Sequence, residues 1–267
     1  MFIVWGTRRT ERNFGYVADF CSVCRDVRAF QLIRIGLVSH LYFVSFGAGK
    51  YVRHAMRCQE CGAECDTDAT RYANIEKYRP TNLPALVQTT FPNIQTAYAG
   101  QIALNAKIQK SSHALAPADR QRLLIEPFEF LHREVEVRFQ NGTAMDKPAG
   151  IAFVATLLGT IGIVAVSIYL KNTLTDTALM ASAALFCTGG LYTFIQIGLA
   201  PGRFIRTRII PMLARSLDPL KPDESELSKC LNRCREIGWK IGQKIKPRQI
   251  LDEIQRAHGN FRQAIPS

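Results

Sequence analysis

Two apolar runs without a charged residue restrict this chain more than any other feature: GIAFVATLLGTIGIVAVSIYL, Gly150 to Leu170, and a second from Thr177 to Ala200. About 20 helical residues, each rising roughly 1.5 Å, cross the hydrocarbon layer of a bilayer, and both runs are that long. Only KNTLTD, Lys171 to Asp176, separates them. So short a connection makes the pair an antiparallel hairpin and puts both large flanks on one side of a membrane. Lys147 precedes the first run and Arg203, Arg206, Arg208 and Arg215 follow the second, against Lys171 alone between them. Because basic residues beside spans are retained in the cytoplasm, the chain is expected to be a multi-pass protein of the cell inner membrane with both termini cytoplasmic. Ala155, Gly159 and Gly162 on one span, with Ala183, Ala184 and Gly190 on the other, would permit close backbone approach. Neither span carries an ionisable group of the kind that marks an ion or proton path, so an anchoring role is expected.

Charge sets the next limit. Of the net +12, +7 falls in residues 201–267. Anionic lipid near Arg203, Arg206 and Arg208 is the expected neighbour of that excess, and nucleic acid is the alternative polyanion. The start, MFIVWGTRRTERNF, is apolar and then basic, the reverse of an export signal, so the N-terminal region is expected to stay in a reducing compartment.

That compartment matters because of the cysteines. Cys21 and Cys24, then Cys58 and Cys61, form two C-x2-C pairs 33 residues apart. Each pair can turn two thiolates toward one ion, and two such knuckles complete a tetrahedral four-sulfur shell, for which Zn2+ is the expected cofactor. A thioredoxin-like redox pair would need a βαβ context and has no use for a second C-x-x-C. Strands are expected at Arg28 to Ile35 and Tyr51 to Arg57, with a turn at Gly47 to Lys50. Cys65 is expected to be an ordinary cysteine, Cys187 a packing residue, and Cys230 and Cys234 core residues of a helix. His54 is the one histidine near enough in sequence to serve as a substitute ligand.

The stretch MFIVWGTRRTERNFGYVADFCSVCRDVRAFQLIRIGLVSHLYFVSF, followed by RCQECG, resembles a short bacterial zinc-ribbon family. Its members begin with an apolar MF-x-F-G-like stretch and carry CPxC and CPxCG knuckles around an aromatic-rich segment. Ser22 and Gln59 stand where proline is frequent. The resemblance covers residues 1–66 and implies zinc on Cys21, Cys24, Cys58 and Cys61; it implies no activity.

The remaining segments read as helices. Ile94, Tyr98, Ile102 and Ile108 fit one stripe, and Leu124, Phe128, Leu131, Val135 and Phe139 another that starts near Pro117 after the turn SSHALAPAD. Glu129 with Arg133 and Glu134 with Arg138 have i, i+4 spacing on the wet side. A helix bent at Pro211 should follow the second apolar run. One further helix, ESELSKCLNRCREIGWKIGQKI, should bury Leu227, Leu231, Cys234, Ile241 and Ile245 with Cys230 and Ile237 beside them, and a last one should start at Pro247.

The expected fold class is an α+β membrane protein with a small β zinc ribbon (1–66), a cytoplasmic helical hairpin (67–148), a transmembrane helical hairpin (149–200) and a basic helical tail (201–267). No triad, open-metal site, H-E-x-x-H or phosphate loop can be assembled from these residues, so enzymatic activity is not expected. The expected function is a protein-interaction or scaffold module at the cytoplasmic face with an unidentified protein partner. The apolar segment Leu37 to Phe46 either recruits that partner or covers the ribbon's own core. The alternative is membrane-tethered nucleic-acid binding or regulation through the ribbon and basic tail.

Overall fold

The computed structural model describes residues 5–41, 44–110, 115–140, 146–169 and 176–263. The connection between the apolar runs, the start of SSHALAPAD, and Tyr42 and Phe43 of the Leu37 to Phe46 segment therefore lie outside the described residues. The chain forms two compact units, residues 1–134 with 209–267, and residues 135–208.

The first unit is built on a four-stranded antiparallel sheet in the order β1-β2-β3-β4, comprising Trp5–Cys21, Asp26–Leu41, Val44–Cys58 and Glu64–Thr67. The strands expected near Arg28 and Tyr51 are the inner parts of β2 and β3, while β1 was not anticipated. Its Thr, Arg, Glu and Asn residues lack an apolar period of their own, and β1 is held by pairing with β2 from Trp5 opposite Leu41 to Cys21 opposite Asp26. The expected turn at Gly47 to Lys50 is corrected. Leu37 pairs with Lys50 and Ser39 with Phe46, so residues 47–49 lie opposite Val38 as a register shift within β3. Irregular pairing takes up extra residues that in an isolated segment would read as a turn.

Gly15 is required where the chain crosses back over β1. Tyr16 and Glu76 exchange backbone hydrogen bonds of 2.7 and 3.0 Å, and a Cβ on Gly15 would overlap Ile75. Beyond this crossing, Asn82 caps α1 (Leu83–Thr90), whose Thr90 hydroxyl accepts from the Ala18 N–H at 2.9 Å. The single stripe expected from Ile94 to Ile108 divides into α2 (Ile94–Ala97) and α3 (Ala99–Lys110), with Ile94 and Ile108 buried. Tyr98, between them, stacks on Phe20 of β1 at 5.4 Å. Fully buried Asp19 accepts from the Tyr72 hydroxyl at 2.6 Å and from the Phe20 N–H at 2.8 Å, as a polar group withdrawn from water requires.

Helix α4 (Pro117–Gln140) starts at the expected proline and buries Leu124, Phe128, Leu131 and Val135. Its wet side is partly used against the sheet: Arg133 pairs with Asp66 of β4 at 2.6 Å, and the Glu134 carboxylate accepts from the Glu64 N–H. Pro211 lies in the first turn of α7 (Ile210–Leu217), where its missing N–H needs no partner, and the π-helical turn Ile205–Ile209 precedes it.

The one helix expected from Glu224 onward is two, α8 (Glu224–Glu236) and α9 (Lys240–Lys244). Gly238 ends α8 at φ 91°; its N–H reaches the Arg235 carbonyl and the Trp239 N–H reaches the Cys234 carbonyl. This C-terminal motif needs a left-handed residue. The break turns α9 back onto α8, where a Cβ on Gly242 would lie 2.7 Å from that of Cys234. Leu227, Leu231, Cys234, Ile241 and Ile245 are buried as expected, whereas Ile237 is exposed. Helix α10 (Pro247–Gln263) completes the unit and buries Ile250.

The second unit contains α5 (Lys147–Tyr169) and α6 (Asp176–Phe204), both long and apolar enough to cross a membrane. Their outward faces carry large apolar side chains such as Phe153, Leu158, Phe186 and Phe194, all exposed. Of the six small residues expected at their contact, only Gly159 serves it, against Leu185; Ala155, Gly162, Ala183, Ala184 and Gly190 face outward. The close approach is made instead by Gly189, where a Cβ would overlap Thr156, with Ser182 and Thr193 buried on the same stripe. At one end, Arg203 forks onto Asp146 at 2.8 and 3.0 Å, and Asp146 caps α5 by accepting from the Ala149 N–H. We expect Gly189→Leu to destabilise the hairpin by about 1–3 kcal/mol through overpacking, and Gly190→Leu to be neutral. Thermal unfolding of the two variants in detergent checks this.

Candidate metal centre

Strand pairing brings the two C-x2-C segments together. The first is the turn between β1 and β2, the second the turn between β3 and β4, and Phe30 pairs with Cys58 across the neighbouring strands. The Sγ atoms of Cys21, Cys24, Cys58 and Cys61 all lie within 4.8 Å of one another. Cys21 Sγ is 3.6 Å from Cys61 Sγ, and Cys24 Sγ is 4.0 Å from Cys58 Sγ. A disulfide requires about 2.05 Å, and all four cysteines are free thiols. Four sulfurs at about 2.3 Å from a tetrahedral ion would lie about 3.8 Å apart, so the donor set fits a metal ion.

Each knuckle closes in the same way. Arg25 follows Cys24 at φ 54° and Gly62 follows Cys61 at φ 74°, so both turns end on a left-handed residue. The Cys24 N–H points at Cys21 Sγ at 3.4 Å, and the Gly62 N–H donates to the Cys58 carbonyl at 3.0 Å. Hydrogen bonding from Cys21 lowers the pKa values of Cys58 and Cys61, while bonding with Cys24, then Cys58 and Cys61, raises that of Cys21. Thiolate is the form that binds metal.

The first knuckle is gripped by helices distant in sequence. Arg25 Nε donates to the Ser216 carbonyl of α7 at 2.6 Å, and its Nη2 donates to the Leu123 carbonyl of α4 at 3.0 Å. Asn105 of α3 donates to the Arg25 carbonyl at 2.9 Å. Ser22 donates to Glu126 at 2.8 Å, and the Ser216 hydroxyl donates to the Ser22 carbonyl at 3.0 Å. Glu60 of the second knuckle pairs with Arg215 at 3.2 Å. The four-cysteine centre is therefore also the junction of the sheet with α3, α4 and α7. Sequence reasoning missed this role; the available signal was Arg25 at the position the second knuckle fills with glycine.

The other candidate residues fall outside the cluster. Cys65 lies on β4 opposite Met56, and burial raises its pKa. Cys230 and Cys234 are buried on α8, where burial pushes their thiols up to about 11 and about 12. Cys187 is exposed on α6. His54 pairs with Arg34 and Thr67 in the sheet and approaches Phe14 and Tyr51, so it is not brought to the four thiols.

No protein-family model matches the chain, and no curated protein or solved structure matches it.

Proposed function

We propose that this chain is a membrane-anchored interaction or scaffold protein whose four-cysteine centre holds structural zinc. The observation that carries this reading is the convergence of Cys21, Cys24, Cys58 and Cys61 into one four-sulfur group. Four free thiols gathered within 4.8 Å, with no disulfide between them, form a metal donor set in preference to two disulfides. Zinc bound there would fix both knuckles and, through Arg25, the seating of the helices on the sheet. Four protein sulfurs leave no open position for a substrate, which supports contact rather than catalysis as the mode of action.

The outward apolar faces of α5 and α6 support the anchor, because a core helix of a soluble protein would bury them. The basic residues flanking them, with Lys171 alone between the apolar runs, support cytoplasmic termini at the inner membrane and anionic lipid near Arg203, Arg206 and Arg208. Resemblance of residues 1–66 to the bacterial zinc-ribbon family supports the metal. The first knuckle is occupied by α3, α4 and α7, so a partner would meet the sheet beyond it, toward the segment that begins at Leu37.

The test is cross-linking of the tagged full-length protein in native membranes beside Cys58→Ser at equal membrane abundance, with protein and nucleic acid both identified. The proposal expects the chain to resist an alkaline carbonate wash and to lose its cross-linked partner in the variant. An unchanged partner set, or release of the chain by the wash, would contradict it.

A further inference from the structure

The sheet beyond the metal centre carries an exposed group of rings and guanidiniums that neither the anchor nor the centre uses. Across one face, Arg12 of β1 pairs with Arg34 of β2, and Arg34 with His54 of β3. Two bulges add aromatic rings to this row. The register of β1 shifts between Asn13 and Gly15, leaving Phe14 as the extra residue, and that of β2 with β3 passes from Ile35 opposite Arg53 to Gly36 opposite Tyr51, leaving out Val52. In a regular strand, residues three apart point to opposite faces; the bulge at Val52 brings Tyr51 onto the face of His54.

Phe14 and Tyr51 consequently flank His54, each with its ring centroid 5.0 Å from the imidazole. The Tyr51 hydroxyl is 3.0 Å from His54 Nδ1, and the Arg34 guanidinium lies over the Tyr51 ring at 5.2 Å. Opposite Tyr51, Gly36 puts no side chain beside the ring. Phe14 is 43% exposed and Tyr51 45%, and Arg12 and Arg34 are exposed as well. Among the described residues neither arginine pairs with a carboxylate, whereas Arg53 and Arg57 on the same sheet do. Burial and the charge of Arg34 lower the His54 pKa.

Two half-exposed rings on a sheet, with guanidiniums beside them that among the described residues pair with no carboxylate, match the needs of a strand of unpaired bases: rings for the bases to stack on and cations for the phosphates. A duplex hides its base faces, and an anionic lipid surface offers phosphates to the guanidiniums but no base to the rings. We propose that Phe14, His54 and Tyr51, with Arg12 and Arg34, form a binding platform for single-stranded nucleic acid. This rests on the interaction-module reading and names the class of partner.

The experiment uses the full-length protein in detergent micelles and fluorescence anisotropy of labelled oligouridylate and oligothymidylate of about 12 nucleotides, at about 50 mM salt. Single strands of either sugar should bind, and the matching duplex should bind much more weakly. Phe14→Leu and Tyr51→Leu, which keep an apolar residue at an exposed strand position, should each weaken binding about fivefold to a hundredfold without shifting thermal unfolding. Arg34→Ala should reduce the slope of log affinity against log salt by about 0.7. Equal binding of duplex, unchanged binding by the leucine variants, or binding of phosphatidylglycerol vesicles but not oligonucleotides would overturn the platform. Zinc is measured on the same preparation. Absent oligonucleotide binding by the zinc-loaded protein overturns the platform alone; a folded zinc-free protein that binds the single strand overturns the metal reading and upholds the platform.

Discussion

Cys58→Ser is expected to release the metal and unseat the helices packed on the knuckles, while leaving the protein in the membrane fraction. Cys58 is buried at the end of β3, and its sulfur is 4.0 Å from that of Cys24 in the other knuckle. With one sulfur gone, three thiolates and a hydroxyl make a poor zinc shell. The apparent binding free energy lost is about 10–16 kcal/mol in small zinc peptides, comparable to the whole stability of a typical domain, about 5–15 kcal/mol. The effect should not stop at the knuckles, because Ser22 and Arg25 of the first one hold Ser216, Leu123 and Asn105. Limited proteolysis should therefore open both the knuckles and the segment around α7. Cys65→Ser is the control, since Cys65 is outside the four-sulfur group, and it should retain full metal content. Equal metal content and protease resistance in Cys58→Ser would remove the centre from the account.

Arg25→Ala separates docking from metal binding. Its guanidinium makes two charge-assisted hydrogen bonds, to carbonyls of α7 and α4, and truncation leaves both acceptors without that donor. At about 1.5–3 kcal/mol for each, the loss should be about 3–6 kcal/mol, read as a lower denaturant midpoint with metal content unchanged. Arg25→Lys should recover little, because an ammonium cannot reproduce the two-pronged geometry. Arg25→Gly should be about 1 kcal/mol less damaging than alanine, since the backbone at φ 54° suits glycine. A midpoint unchanged in Arg25→Ala would mean that the helices are seated by apolar packing alone.

What could be read from the sequence followed the range over which each signal acts. The cysteine pairs and the apolar runs are local patterns, and both led to features present in the structure: a four-cysteine group and two helices of membrane-crossing length. Pro117 likewise marks the start of α4. The grip on the first knuckle was hidden because Asn105, Leu123 and Ser216 are scattered along the chain and two of them, Leu123 and Ser216, accept from Arg25 through backbone carbonyls, which leave no trace in side-chain identity. Tyr51 was hidden for another reason. Alternation assigns faces only while the register is regular, and the bulge at Val52 puts Tyr51 on the face of His54. In the apolar hairpin, composition showed that small residues were present without showing which side they face. Gly189 and Gly190 differ by one residue, and one helical step of about 100° carries one to the contact and the other away from it. The break between α8 and α9 was legible in Gly238, but the apolar spacing of Ile241 and Ile245 continued the stripe across it.

The most direct measurement is zinc K-edge X-ray absorption on the full-length protein extracted from membranes, together with its metal-to-chain ratio. The account predicts one zinc per chain in a shell of four sulfurs at about 2.3 Å, with no nitrogen or oxygen ligand. A metal-free chain with Cys21, Cys24, Cys58 and Cys61 oxidised to disulfides, or a zinc shell containing nitrogen or oxygen, would contradict it.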